Sequence, residues 1–310
     1  MNNKPIPIIL DTDIGNDIDD NWALGLLLKT PELFPKLVLS ATGDTEYRAF
    51  VAAKFLDQAG YPEIPVAVGI AAPEQPAPES QRTWLGIYSA KDYPGKFLRN
   101  GLEQMAQLVA KEPEATTVIG IGPLTNLAAF CRYYPGLVAK CRLVAMLGSI
   151  YRQYDGELGA VAEYNVKIDI QAAQTVLAAP WREIVITPLD HCGVIRLDGE
   201  RYRSLKESAD PVVGQILSGY RAYRAFFGQT GEETASSPLF DTAAIHLAWS
   251  DAFTEFETLP LIVDDQGFTR ISPQFGRPVK TAVGWSNLEG YLDFLVTRLL
   301  DRASQEKSPR

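Results

Sequence analysis

Basic residues are too few and too scattered in this sequence to mark a nucleic-acid surface. Lys and Arg number 29 against 38 Asp and Glu, leaving a formal net charge of −9. Because no stretch concentrates the positive charge, a phosphate backbone is excluded as an expected partner. No apolar run approaches the roughly 20 residues that would span a bilayer. Met1 to Pro7 carries one Lys and runs straight into a strand pattern, not into the apolar stretch of a signal peptide. Cysteine is sparse: Cys131, Cys141 and Cys192 form an odd set without metal-ligand spacing or a supporting His and Asn, which excludes a disulfide framework and a thiol nucleophile. Reduced thiols in a cytoplasmic protein are the expectation. Only two histidines occur, His191 and His246.

What is present is ordinary globular material. Of the 310 residues, 46% are hydrophobic, enough for a large core. We read residues 1–303 as one domain and 304–310 as a frayed tail. Short apolar runs at Ile6–Leu10, Lys36–Ala41, Ile64–Val68, Thr116–Ile121, Arg142–Leu147 and Glu183–Thr187 predict buried strands. Helical patterns lie between and after them, around 18–29, 45–59, 100–111, 124–131, 169–178 and 201–227. This alternation predicts an α/β fold: a mostly parallel, Rossmann-like central sheet with helices on both faces. One further helix follows Asp241, then strands near 258–263 and 278–283, and a closing helix from Asn287 to Asp301. Gly69 to Gly95, with its run Ala72-Pro-Glu-Gln-Pro-Ala-Pro, predicts a surface loop or lid. In such a sheet ligands bind beyond the carboxyl ends of the strands, so functional residues should follow the apolar runs.

Directly after the first strand stands Asp11-Thr12-Asp13-Ile14-Gly15-Asn16-Asp17-Ile18-Asp19-Asp20, with no Lys or Arg between Lys4 and Lys29. Five carboxylates at one strand–helix corner repel one another unless a cation offsets them. Asp11 and Asp13 point the same way on an extended segment. Gly15 permits a sharp turn, Asp17 can cap the next helix, and Asp19 and Asp20 fall in its first turn. Such an all-oxygen pocket suits Ca²⁺ or Mg²⁺. It is not an EF-hand, whose fifth and twelfth ligand positions would be Gly15 and Trp22. The purely structural alternative is an N-cap pair, with Asp11 satisfying loop amides.

Leu10-Asp-Thr-Asp-Ile-Gly-Asn-Asp-Ile-Asp-Asp resembles the signature of the inosine–uridine-preferring nucleoside hydrolases, in the DTDxGxDxDD form that is two residues longer than DxDPGxDD. Four more blocks resemble that family in order: Ala41-Thr-Gly-Asp-Thr-Glu, Ile121-Gly-Pro-Leu-Thr-Asn-Leu, Ala162-Glu-Tyr-Asn-Val-Lys-Ile-Asp and Phe240-Asp241. The resemblance implies hydrolysis of a small nucleoside to ribose and free base by a homodimer or homotetramer. It implies Ca²⁺ held by Asp13, Asp20, the Thr125 carbonyl and Asp241. Asp13 would also be the general base for a calcium-bound water attacking C1′. Asp19, Glu163 and Asn165 would bind ribose hydroxyls. The bland alternatives are that Thr125 merely starts a helix, Glu163 is a solvated carboxylate and Asp241 an N-cap.

Three departures from the pattern bear on the substrate. Phe240 stands where several family members carry a His that protonates the leaving base, and Phe has no proton to give. Asp44 replaces the usual Asn of the second block. Glu157 falls where an Asn often approaches the ribose 5′-hydroxyl. Asn donates hydrogen bonds, whereas ionised carboxylates only accept them. A 5′-phosphate is not expected in so acidic a pocket. His191, after the sixth strand, is the candidate replacement acid, while His246 lies in an apolar helix pattern and reads as packed. Tyr220, Tyr223 and Phe227 share one helical face; it reads as core or, through Tyr223, as a nucleobase cover. Two other functions compete: a nucleoside- or sugar-binding protein with little turnover, and a phosphatase with an aspartyl nucleophile. The phosphatase lacks its downstream Lys and second acidic pair.

Overall fold

The computed structural model describes residues 4–72, 77–112 and 114–301. The strands are β1 (Ile6–Thr12), β2 (Leu33–Ser40), β3 (Val66–Ala67), β4 (Phe97–Leu98), β5 (Thr117–Gly120), β6 (Arg142–Met146), β7 (Glu183–Thr187), β8 (Thr254–Val263), β9 (Thr269–Ile271) and β10 (Arg277–Trp285). They form one ten-stranded sheet in the order β4-β3-β2-β1-β5-β6-β7-β10-β8-β9. Every pairing from β4 to β10 is parallel; β8 runs antiparallel to β10 and to β9. The predicted α/β architecture is therefore the observed one. From β1 the chain winds outward to β2, β3 and β4, then returns to place β5 on the other side of β1. The carboxyl ends of β1 and β5 thus flank the switch point where such sheets bind ligands.

Strand periodicity explains how one short run serves two cores. Ile8 and Leu10 pack into the cluster on one face of the sheet and Ile9 into the other, and all three are fully buried. The helices covering these faces begin and end on local signals. Asp44 caps Thr45–Ala59 by accepting from the Tyr47 amide, and Gly60 ends that helix at φ 87°, a left-handed turn that glycine takes without strain.

The predicted helix over 201–227 is in fact two, Gly199–Lys206 and Pro211–Phe226. Pro211 sits in the first turn of the second, and the Asp210 carboxylate accepts from the Val212 and Val213 amides to start it. The signal was Asp-Pro itself, which the longer apolar period masked. The closing helix, Leu288–Leu300, is capped by Asn287. Within the predicted lid, residues 73–76 lie outside the described residues, and so does the predicted tail from Ser304. The described part is pinned at Ser80 and Gln81, which are buried, with Ser80 Oγ donating to the carbonyls of Gly15 and Asn16, and a short helix, Arg82–Leu85, follows. Among the described residues, no helix is long and apolar enough to cross a membrane.

Candidate active site

The corner after β1 is held from several sides. Gly15 turns the chain at φ 93°, and a Cβ there would meet the Tyr47 ring at 3.0 Å. Arg48, 1% exposed, reaches in from its helix and donates from Nη1 to the Asp13 carbonyl (2.7 Å) and from Nε to that of Thr42 (2.7 Å). It spends its donors on carbonyls, so it shapes the turn without forming an ion pair with the carboxylates. Gly122, after β5, leaves room for Asp13, since a Cβ there would stand 2.9 Å from the Asp13 nitrogen and 3.0 Å from Oδ1. Asn126 stitches neighbouring strand ends together: its Nδ2 donates to Asp11 Oδ1 (2.7 Å) and the Ser40 carbonyl, and its Oδ1 accepts from the Ile70 amide.

Five aspartates are buried here: Asp11 is 0% exposed, Asp13 4%, Asp19 4%, Asp20 2% and Asp241 3%. Oxygens of Asp19, Asp20 and Asp241 lie within 4.8 Å of one another. Asp19 and Asp241 are in side-chain hydrogen-bond contact, and the Thr12 hydroxyl donates to Asp20 Oδ1. Burial first, then mutual repulsion, drives Asp19, Asp20 and Asp241 well above the ordinary carboxylate range; burial also raises Asp13, against the nearby Arg48. Asp11 is pushed up to about 7 by burial, and its Oδ2 has no partner. Buried carboxylates in contact are stable only if protons or a cation take up the excess charge. An all-oxygen donor set of this kind fits a hard divalent cation.

The carboxylates open into a cleft of about 290 Å³ lined by sixteen residues. Of the residues singled out in the sequence, Asp13, Asp17, Asp19, Asp20, Glu163, Asn165, Tyr223, Phe227, Phe240 and Asp241 line it. They arrive from the corner after β1 and the first turn of helix Asp19–Leu28, the segment after β6, the end of helix Pro211–Phe226 and the turn before helix Thr242–Leu247. Glu163 is no solvated carboxylate: it is 2% exposed, and it accepts from the amides of Asn165 (2.8 Å), Gly148 (2.9 Å) and Val166 (3.4 Å). Burial still pushes it up to about 7. Asn165 Nδ2 donates to the Met146 carbonyl at 3.1 Å, which fixes the amide beside Glu163.

Four of the expected ligand, substrate and acid residues lie away from the cleft lining. Thr125 opens helix Thr125–Tyr133, and its hydroxyl donates to Asp169 at 2.7 Å. Asp44 is the half-exposed helix cap already described. Glu157 is exposed and accepts from Gln153 Nε2. His191 is fully buried: its ring stacks on Trp285 with centroids 3.8 Å apart, and its nitrogens stand 2.8 Å from Thr187 Oγ1 and 3.2 Å from Thr254 Oγ1. Burial pushes it down to about 3, so it is neutral at pH 7. The rule that sites follow strand ends placed His191 at the right end of the sheet but could not tell which way the ring turns.

Other lining residues were missed. Asn16 donates from Nδ2 to Asp13 Oδ2 and to the Tyr164 hydroxyl, both at 3.1 Å. Asp17, expected to cap the next helix, does not: the N-cap is Ile18 without a side-chain cap, and Asp17 accepts from the Ile18 amide and bonds the Tyr223 hydroxyl. Tyr154 meets Phe240 edge-on, with centroids 5.8 Å apart. The loop carrying Tyr154 is anchored by Asp190, whose carboxylate accepts from the amides of Ile150, Tyr151 and Arg152. No local pattern announces Tyr154 or Asp190, because both act on sequence-distant partners.

The family model described as inosine-uridine preferring nucleoside hydrolase matches residues 8–285. The pyrimidine-specific ribonucleoside hydrolase RihA of Salmonella arizonae is 28% identical over 319 residues, covering 95% of this chain and 98% of its own. A Schizosaccharomyces pombe protein is 32% identical over 235 residues, 70% of this chain and 73% of its own. A plant nucleoside hydrolase superposes with a TM-score of 0.79 at 22% identity, covering 96% of this chain and 99% of its own. For the purine-preferring ribonucleoside hydrolase of Gardnerella vaginalis the TM-score is 0.74 at 20% identity, with 94% and 98% covered. The family match and the curated relatives do not favour the phosphatase or the binding-only reading. The chain belongs to the inosine–uridine-preferring nucleoside hydrolase family and is a hydrolase acting on nucleosides.

Proposed function

We propose that the chain cleaves the N-glycosidic bond of ribonucleosides, with Asp13 as general base and Ca²⁺ as its resident cation. The observation that carries this reading is the convergence of Asp13, Asp19, Asp20 and Asp241 in one cleft, although Asp241 is more than 200 residues from the others in sequence. Asp20 and Asp241 would hold the cation, with Asp13 and, as the family resemblance implies although Thr125 stands outside the cleft lining, the Thr125 carbonyl completing the protein ligands. When bound, the cation supplies Lewis acidity to the attacking water and a seat for the ribose 2′- and 3′-hydroxyls. Asp13 takes the proton from that water, with Oδ2 oriented by Asn16 and Oδ1 left free of that bond. Asp19, Glu163 and Asn165 grip the sugar hydroxyls, with Glu163 and Asn165 pre-set by their backbone partners. The C1′–N bond breaks as water's oxygen bonds to C1′, and its electron pair leaves on the base. Attack by water without a covalent intermediate inverts the anomeric centre.

The proposed enzyme is a cytoplasmic homodimer or homotetramer; sedimentation of the purified chain tests the assembly. Turnover of inosine, uridine and 2′-deoxyuridine, with Ca²⁺ and with chelator, tests the chemistry. We expect ribonucleosides to be cut, chelator to stop the reaction, added Ca²⁺ to restore it, and the deoxynucleoside to be a poor substrate. Equal rates on uridine and deoxyuridine would show that the 2′-hydroxyl is not gripped.

A further inference from the structure

The cleft has two halves of different chemistry. Asp13, Asp17, Asp19, Asp20, Glu163 and Asp241 supply carboxylates to it. Tyr154, Tyr164, Tyr223, Phe227 and Phe240 supply five aromatic rings. Among the described residues no Lys, Arg or His lines it. The phenols are already engaged: Tyr223 with Asp17, Tyr164 with Asn16, and Tyr154 with the backbone amide of Tyr164. Burial pushes Tyr154 and Tyr164 up to about 12, and Tyr223 higher still. Phe240, packed edge-on against Tyr154, occupies the aromatic wall with a side chain that has no proton. The two histidines are elsewhere: His191 as described, and His246 buried among Trp249, Phe253, Tyr291 and Phe294.

Such a cleft offers a departing neutral base no imidazole and no free phenol as its acid, and its aromatic faces and carboxylates attract positive charge. Resting on the ribosyl-hydrolase reading above, we propose that the preferred substrates are ribosides whose base carries a permanent positive charge, such as N-ribosyl pyridinium compounds. The balance needs no acid. Water's oxygen bonds to C1′, its proton goes to Asp13 and then to solvent, and the C1′–N pair returns to the ring nitrogen, which leaves neutral. Tyr223, held on Asp17, presents its ring in the cleft as a negatively polarised face, with Phe227 against it at 4.9 Å between centroids.

The test uses the full chain with Ca²⁺. We expect kcat/KM on nicotinamide riboside to exceed that on inosine by roughly 10² or more, the worth of a positioned acid. Intrinsic leaving-group reactivity contributes to that ratio, so binding is measured separately. 1-Methylnicotinamide, a pyridinium cation, should inhibit p-nitrophenyl riboside turnover at roughly tenfold lower concentration than neutral nicotinamide, and Asp17→Asn should shrink that preference. Phe240→His should raise inosine turnover and narrow the substrate ratio. If p-nitrophenyl riboside is hydrolysed but inosine keeps pace with the cationic riboside, or both nicotinamides inhibit alike, the inference is overturned while ribosyl hydrolysis stands. If no riboside is turned over, ribosyl hydrolysis itself falls.

Discussion

Asp241 and Asp210 are both buried aspartates at helix starts, 3% and 4% exposed, yet they sit in opposite circumstances. The Asp210 carboxylate meets the fully buried Lys29 ammonium at 2.5 Å, and Lys29 also donates to the Asp301 carbonyl at 3.0 Å. That contact ties the end of the first helix to the start of the helix carrying Tyr223 and to the end of the last helix. The chain has brought its own counter-charge, so this charge belongs to the fold. Asp241 lies against Asp19 and Asp20, and Arg48, the buried cation whose charge reaches Asp13 and Asp20, gives its hydrogen bonds to carbonyls. There the excess negative charge is left for something the chain does not contain. Burial alone does not mark a functional carboxylate; burial without an internal partner does.

Two substitutions that each remove one negative charge should break this comparison or establish it. Asp241→Asn should lower kcat/KM by roughly 10² or more, since a bound cation is worth several kcal/mol to the transition state. In chelator the same change should raise the melting temperature, because it relieves carboxylate repulsion. Asp210→Asn keeps an acceptor for the helix cap but leaves Lys29 without a matching charge, and should destabilise by about 3–5 kcal/mol in urea titrations. Its specific activity at low temperature should be unchanged. If Asp241→Asn were the destabilising change, Asp241 would be a structural partner like Asp210.

The next effect is linkage. A cation that binds only the folded chain stabilises it by about 2.7 kcal/mol at 100 times its Kd. Ca²⁺ should therefore raise the melting temperature of the wild-type chain, do much less for Asp20→Asn or Asp241→Asn, and act fully on Asp210→Asn. A Ca²⁺ shift of equal size in all four proteins would place the ion somewhere other than this corner.

The alternation of runs made the sheet legible from sequence, and so was the corner, because its five aspartates sit in ten residues. Glu163 and Asn165 were singled out only through the family resemblance of the block Ala162-Glu-Tyr-Asn-Val-Lys-Ile-Asp. What was illegible is whatever depends on direction or on distant partners. Asp44 and Glu157 occupy matching positions in the family pattern, yet their side chains turn outward. Arg48 looks like any helix arginine until the fold shows it buried in the turn beneath Asp13. Asp190 reads as a strand-end aspartate, and only the fold reveals three amides of the next loop converging on it.

Asp44 carries the smallest effect and gives the finest test of the comparison, because it is a helix-start aspartate that is neither buried nor facing the cleft. Its carboxylate accepts from the Tyr47 amide at 3.0 Å and stands 3.9 Å from Arg82, with half of the side chain in solvent. Solvent screens the Arg82 contact, so the cap is the interaction that counts. Asp44→Ala should cost about 1 kcal/mol of stability, and Asp44→Asn almost nothing, since Asn caps equally well. Neither should change KM or kcat on uridine. The same pair at Asp19 should behave in the reverse way, with activity lost in both variants and stability in chelator unchanged or improved. A rise in KM in Asp44→Asn, with stability intact, would mean that the side chain swings into the cleft when substrate binds. The family's Asn position would then be functional here after all.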